Sequence, residues 1–179
     1  VSGRPETPGD VVAPGAAATP SGRDTGPDTG WAERLRRLLP GLWAGWLLCV
    51  ALLATPAPFA TLAQAEAGRV VARMLAQDAY TGLFLGVVLL VLERGAARRR
   101  AEAGLGSVFS GGMVLVLGAL ACTVVGYFVL QPQMVAARMG QGGLSFGQLH
   151  ALSAVFFLLK FGCVLALAGL AVRAGLDRR

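Results

Sequence analysis

Charge is missing from most of this chain. No Asp, Glu, Lys or Arg occurs from Leu38 to Ala65 or from Ala103 to Ala137, and between Gly140 and Val172 the only formal charge is Lys160, the single lysine of the sequence. There is also only one histidine, His150, and the three cysteines, Cys49, Cys122 and Cys163, show no CxxC, CxxCH or Cys/His spacing. The missing CxxCH argues against covalent haem, and a lone histidine cannot supply two axial imidazoles within one chain. No nucleophile stands beside a base, no glycine-rich loop has phosphate-binding spacing, and no pair of carboxylates is placed for acid–base work. No catalytic residue is assigned, no cofactor is expected, and the reading is not that of an enzyme.

What is present sets the class. Hydrophobic residues make up 55% of the chain and charged ones 15%, with a mean hydropathy of +0.62, far from the mix of a water-soluble domain. A helix needs roughly 20 apolar residues to cross a bilayer core of about 30 Å. The three charge-poor stretches each hold one crossing. A fourth is shorter, Ala79 to Leu92, but its helical pattern extends upstream through Val70, Val71, Met74 and Leu75. The expected fold is therefore an all-α membrane protein, a four-transmembrane-helix bundle with spans near 40–62, 72–93, 107–130 and 151–172. Residues 33–179 form this domain. Residues 1–32 read as a disordered cytoplasmic tail rich in proline and glycine, with too few large apolar side chains to offset chain entropy. The chain opens on Val and its first Met is Met74, so the true start stays open.

The net charge of +6 is distributed between the spans rather than gathered on one patch, which argues against nucleic acid as a partner. With a cytoplasmic first end, ten arginines near the spans fall inside (Arg34, Arg36, Arg37, Arg94, Arg98, Arg99, Arg100, Arg173, Arg178, Arg179) and three outside (Arg69, Arg73, Arg138). Positive charge is retained in the cytoplasm during insertion, so both termini are expected there. Fifteen arginines against one lysine suggest a GC-rich bacterial genome and a multi-pass protein of the inner membrane. A competing reading takes RLRRLL, the following apolar run and Ala63-Gln64-Ala65 as a cleavable signal peptide, which would leave three spans. Against it, the run is long and contains Pro56 and Pro58.

Every span carries small residues one turn apart: Gly41 and Gly45, Gly82 and Gly86, Gly118 with Cys122 and Gly126, and Gly162 with Ala166. Such faces let backbones approach closely, either within one bundle or between copies. Counted along the spans, the three cysteines fall near a common depth, which leaves a soft-metal site as the alternative to plain packing.

The outer ends of the spans are the polar ones. The stretches AGRVVARMLAQDAY (67–80), GYFVLQPQMVAARMGQ (126–141) and SFGQLHALS (145–153), in this order and place, resemble the transmembrane protein 205-like family of small four-helix membrane proteins. The likeness rests on Gly68, Arg73 and Leu75, on Pro132 with Ala136 and Ala137, and on Phe146, His150, Leu152 and Ser153, and covers about residues 35–173. Phe157 departs from it, standing where some relatives carry a polar side chain. The resemblance implies a four-helix membrane domain and brings no reaction.

Two candidate sites follow. Span counting alone gathers Gly68, Arg73, Asp78, Gln131, Pro132 and His150 at the outer face, where interfacial anchoring and helix termination are the plainer roles. His150, Ser153 and Lys160 form a polar stripe, since at about 100° per residue Ser153 and Lys160 lie within roughly 80° of His150. A lysine roughly 15 Å below His150 costs about 2.5 to 3.5 kcal/mol on insertion scales, so Lys160 is expected to face the bundle interior. Neither Asp78 nor Glu93 is expected at its depth, which points to a neutral amine bonded to Thr123 or a free carbonyl. Functionally, the sequence suggests an accessory, assembly or partner-binding protein whose ERGAARRRAE loop meets anionic lipid or protein, with the bilayer and a second copy or another membrane protein as partners. The alternative is a small-solute or ion transporter, or its subunit, built on the stripe.

Overall fold

The computed structural model describes residues 27–176. All regular structure among them is helical. Helix α1 (Pro27–Cys49) passes through a wide π-helical turn, Val50–Ala54, into the short α2 (Pro56–Thr61). The chain then folds back as α3 (Gln64–Glu102), a loop leads to α4 (Gly111–Thr123), and a second π-helical turn, Val124–Val129, continues it as α5 (Leu130–Arg138). After a glycine-rich loop, α6 (Phe146–Leu176) is the last of the described elements. Four continuous helical rods, Gly30–Thr61, Gln64–Glu102, Gly111–Arg138 and Phe146–Ala174, are long and apolar enough to cross a membrane. Residues 27–32, read from the sequence as tail, are the first turns of α1, and residues 1–26 lie outside the described part.

Both π turns sit just before prolines, and the placement has a physical cause. Proline lacks the N–H that would close the helical bond and its ring crowds the carbonyl four residues back. A wider turn relieves the crowding. Ahead of Pro56, the backbone N–H of Thr55 donates to the Val50 carbonyl at 2.9 Å, five residues back, and the Thr55 hydroxyl donates to the same oxygen at 2.8 Å. Pro132 follows the second π turn inside α5. The expectation that it ends the third span is thus corrected: the helix widens before the proline and runs on to Arg138.

Around the bundle the long helices pack in the order α1, α3, α4, α6, with α6 returning against α1. Their shared core holds Trp43 and Leu47 of α1, Leu89 of α3, Val116 and Ala119 of α4, and Val164 and Leu167 of α6. The outward faces are equally apolar, with Leu42, Phe84, Val91, Leu158 and Leu165 exposed. This is the pattern of a lipid solvent, in which the interior is distinguished by close contact and polar pairing rather than by hydrophobicity.

Of the four small-residue faces, two hold the bundle together. A Cβ on Gly86 would lie 2.5 Å from Leu120 Cδ2, and one on Gly118 3.2 Å from Cys163 Sγ, so α3 meets α4 and α4 meets α6 at glycine. Gly82 makes room for the Trp43 ring, and Gly126 for Phe156. Gly41 and Gly45 have nothing within 4 Å, nor has Gly162, and Ala166 is exposed, so these two faces look outward.

Candidate functional site

Helix α3 carries the acids of the bundle on its inward face. Asp78, Gly82, Gly86, Leu89 and Glu93 recur every three or four residues and all are buried. Glu93, at the arginine-rich end, accepts from Arg36 Nη1 on α1 at 2.8 Å. Arg36 also donates to Glu33, which takes Arg37 as well. A Cβ on Gly112 would sit 2.5 Å from Glu93 Oε2, so only glycine lets the first turn of α4 close over this carboxylate.

Asp78 lies fifteen residues earlier on α3, roughly 22 Å along the axis. Its carboxylate is 3% exposed and both oxygens are occupied. Lys160 Nζ donates to Oδ2 at 2.6 Å, and Trp46 Nε1 donates to Oδ1 at 3.1 Å. Three helices thus converge on one carboxylate, α1 through Trp46, α3 through Asp78 itself and α6 through Lys160. The Lys160 ammonium, on a residue 4% exposed, also lies 5.2 Å from the centre of the Phe157 ring. That ring, at the position where the sequence departs from its resemblance, offers a π-face to the charge.

This pair corrects two expectations. Asp78 is a buried anion rather than an exposed interfacial anchor, and Lys160 is bonded to it rather than to Thr123, whose hydroxyl donates to the Ala119 carbonyl at 2.9 Å. Counting from the expected span starts, Asp78 is six residues into its helix and Lys160 nine, roughly 9 and 14 Å. Side chains lean toward the amino end of a helix, and lysine is long. The lysine stem therefore spans the offset, directed toward the amino end of α6, on the side where Asp78 sits. The pair also crosses the bundle, since α3 and α6 stand on opposite sides of the helical ring.

Beside Lys160 is a crevice of about 50 Å³, shared by Ser153 on α6, Cys122 and Thr123 on α4, and Gln131 on α5. The volume suits one or two waters, each occupying about 30 Å³ in the liquid. Ser153 and Lys160 of the proposed stripe therefore meet at one place. His150 does not join them; it is exposed, its ring stacked on Phe146 at 5.9 Å, with the Arg138 guanidinium 4.5 Å over the other aromatic's centre. Of the outer-face group, Asp78 is buried and Gln131 is half-buried at the crevice. Gly68 has open space around it, and Arg73 and Pro132 are exposed. Cys122 and Cys163 are half-buried, whereas Cys49 is exposed on α1. Among the described residues no three His, Cys, Asp or Glu side chains are grouped to hold a metal ion.

Sequence reasoning placed Arg36 and Glu93 at the same membrane end without pairing them. The available signal was the placement of an acid inside an otherwise basic run, ERGAARRR, opposite the basic start of α1. Trp46 carried no signal of its own. Chemically, the Asp78 site can hold one charge pair and a little water; it has no room for an organic solute.

The chain belongs to a family described as "Domain of unknown function (DUF4149)", whose profile matches residues 38–142. The match takes in the first three membrane helices, including Trp46, Asp78, Glu93 and Gln131, and stops short of α6 with Lys160. No curated protein and no solved structure matches the chain.

Proposed function

We propose that this member of the DUF4149 family is an accessory or assembly protein of the bacterial inner membrane, a four-helix bundle with both termini in the cytoplasm that acts by binding other membrane components. We place it, on the polar stretches at its outer ends, close to the transmembrane protein 205-like proteins. The observation that supports this reading is the internal use of charge. The two buried carboxylates of α3 are neutralised by cations of the same chain, and the crevice beside Lys160 is about 50 Å³, too small for a solute path. Charge used in this way locks helices together and leaves apolar faces for partners. The orientation rests on the arginines, because Arg34, Arg36 and Arg37 of α1 share one end of the bundle with Arg94 to Arg100 of α3 and Arg173 of α6.

Photo-crosslinking residues placed in cells at Leu42, Phe84, Val91 and Leu158 test the partner role. Discrete protein adducts from one or two faces are expected; lipid adducts alone from every face contradict it. A reporter active only in the periplasm, fused after Arg179, should stay dark, and a bright signal overturns the orientation.

One observation favours a second reading, an ion or proton carrier or a subunit of one: Asp78 and Lys160 pair next to Ser153 and Gln131 in a crevice able to hold water. Proton flux into liposomes that is abolished by Asp78→Asn would select it over the accessory role.

A further inference from the structure

A second, larger recess lies at the arginine-rich end of the bundle. It has a volume of about 680 Å³ and is bounded by the end of α3, the loop to α4, the first residues of α4 and the end of α6. Four arginines and two carboxylates line it. Arg36, Glu33 and Glu93 are committed to one another. The surplus is Arg99, Arg100 and Arg173, none of which forms an ion pair among the described residues, and all three are exposed to the recess and its mouth.

The other side of the recess is chemically different. Leu167, Leu170 and Ala171 of α6 and Ala96 of α3 give it an apolar wall. Between the two sides the amino end of α4 opens into the recess at Ser110 and Gly111, while Gly112 is closed off by the Glu93 carboxylate. Ser110 Oγ accepts from the Met113 N–H, and a Cβ on Gly111 would meet nothing within 4 Å, so the backbone there is open to an approaching group. Three cations, a helix amino end and an apolar wall, together at the level where charged residues give way to the apolar span, fit an amphipathic anion.

We infer that this recess is a binding site for the phosphate headgroup of an anionic phospholipid, held by Arg99, Arg100 and Arg173 with its acyl chain along the exposed Leu170. The shared chemistry, a phosphate, could also come from a soluble phosphomonoester; the apolar wall assigns it to lipid. The inference does not depend on the bundle having a protein partner.

Native mass spectrometry of the full chain in mild detergent, offered equal amounts of phosphatidylglycerol and phosphatidylcholine with matched acyl chains, tests it. Each arginine near a headgroup contributes about fivefold in affinity, so three give a preference for phosphatidylglycerol on the order of 100-fold. The variant R99Q/R100Q/R173Q should lose most of that preference. The control R94Q/R98Q, on the same helix but outside the recess, should keep it. The thermal midpoint of the unaltered protein, compared in the two lipids, gives a reading that needs no variant to fold and should be higher with phosphatidylglycerol. Equal retention of the two lipids by the unaltered protein, or equal losses in the two variants, overturns the site. Stabilisation by glycerol 1-phosphate matching that by phosphatidylglycerol would overturn the lipid assignment and leave a soluble phosphate as the ligand.

Discussion

Replacing Lys160 by Met isolates the pair at the centre of the bundle. The stem is conserved in length and apolar character, so little packing is lost; what goes is the ammonium 2.6 Å from Asp78 Oδ2. Asp78, only 3% exposed, is left with the Trp46 N–H as its one partner. Removing one member of a buried pair typically costs about 3 to 5 kcal/mol, because the other charge stays desolvated and uncompensated. At about 1.4 kcal/mol per tenfold, the ratio of folded to unfolded protein falls on the order of a hundredfold or more. Asp78→Asn keeps the shape and the oxygen facing Trp46 but leaves the lysine unpaired, and is expected to cost a similar amount. The double variant carries no buried charge at this site and should be no less stable than either single one, a coupling of about 2 kcal/mol or more. Unfolding in mild detergent, followed by circular dichroism and by the fluorescence of Trp46 and its neighbours, supplies the four stabilities of the cycle. Effects that add to within about 0.5 kcal/mol, as independent sites do, would refute the reasoning. So would a Lys160→Met protein as stable as the original.

Gly86→Ala should destabilise by about 1 to 3 kcal/mol, since its Cβ would press on Leu120. Leu120→Ala in the same chain should recover part of that loss, and Gly41→Ala, with nothing within 4 Å, should be neutral or slightly stabilising. At the other end, Glu93→Leu should cost about 1.5 to 3 kcal/mol by removing one of the two carboxylates that hold Arg36, while Glu93→Leu with Arg36→Met should be milder, again measured by detergent unfolding. Cys122→Ala should leave the unfolding midpoint nearly unchanged, and loss of a bound metal on that change, measured by elemental analysis, would contradict its packing role.

Four spans and their helical nature were legible because a bilayer enforces a simple rule: long stretches such as 103–137 without a charge can only be helices in lipid. The arrangement of those helices was not. Hydropathy is similar on all sides of each span, so it cannot say that Gly82 and Gly86 turn inward while Gly41 and Gly45 turn outward. Only the neighbours decide that. Lys160 was legible as an interior residue but its partner was not, because span counting locates Cα atoms whereas the bond is made at the end of a long side chain that leans toward Asp78. The ring order of the helices, which sets α3 across from α6, leaves no trace in a single sequence. Pro132 misled for a related reason. A proline reads as a stop, but the wide turn at Val124–Val129 accommodates it.

Both buried acids of the bundle belong to α3, and this fixes the order in which they and their partners are synthesised. A chain made from its amino end delivers Arg36 and Trp46 first, Asp78 and Glu93 next, and Lys160 last. Once α3 has been released into the bilayer, Glu93 can close on Arg36 and join α1 to α3 while α6 is still being synthesised. Asp78 then waits half-satisfied, bonded only to Trp46. The last helix arrives with a charge that lipid disfavours by about 2.5 to 3.5 kcal/mol on insertion scales, and its docking removes that penalty together with the unmet demand of Asp78. The 2.6 Å contact is therefore the last charge pair of the bundle to be made, and a chain truncated before Lys160 keeps Asp78 buried without its cation.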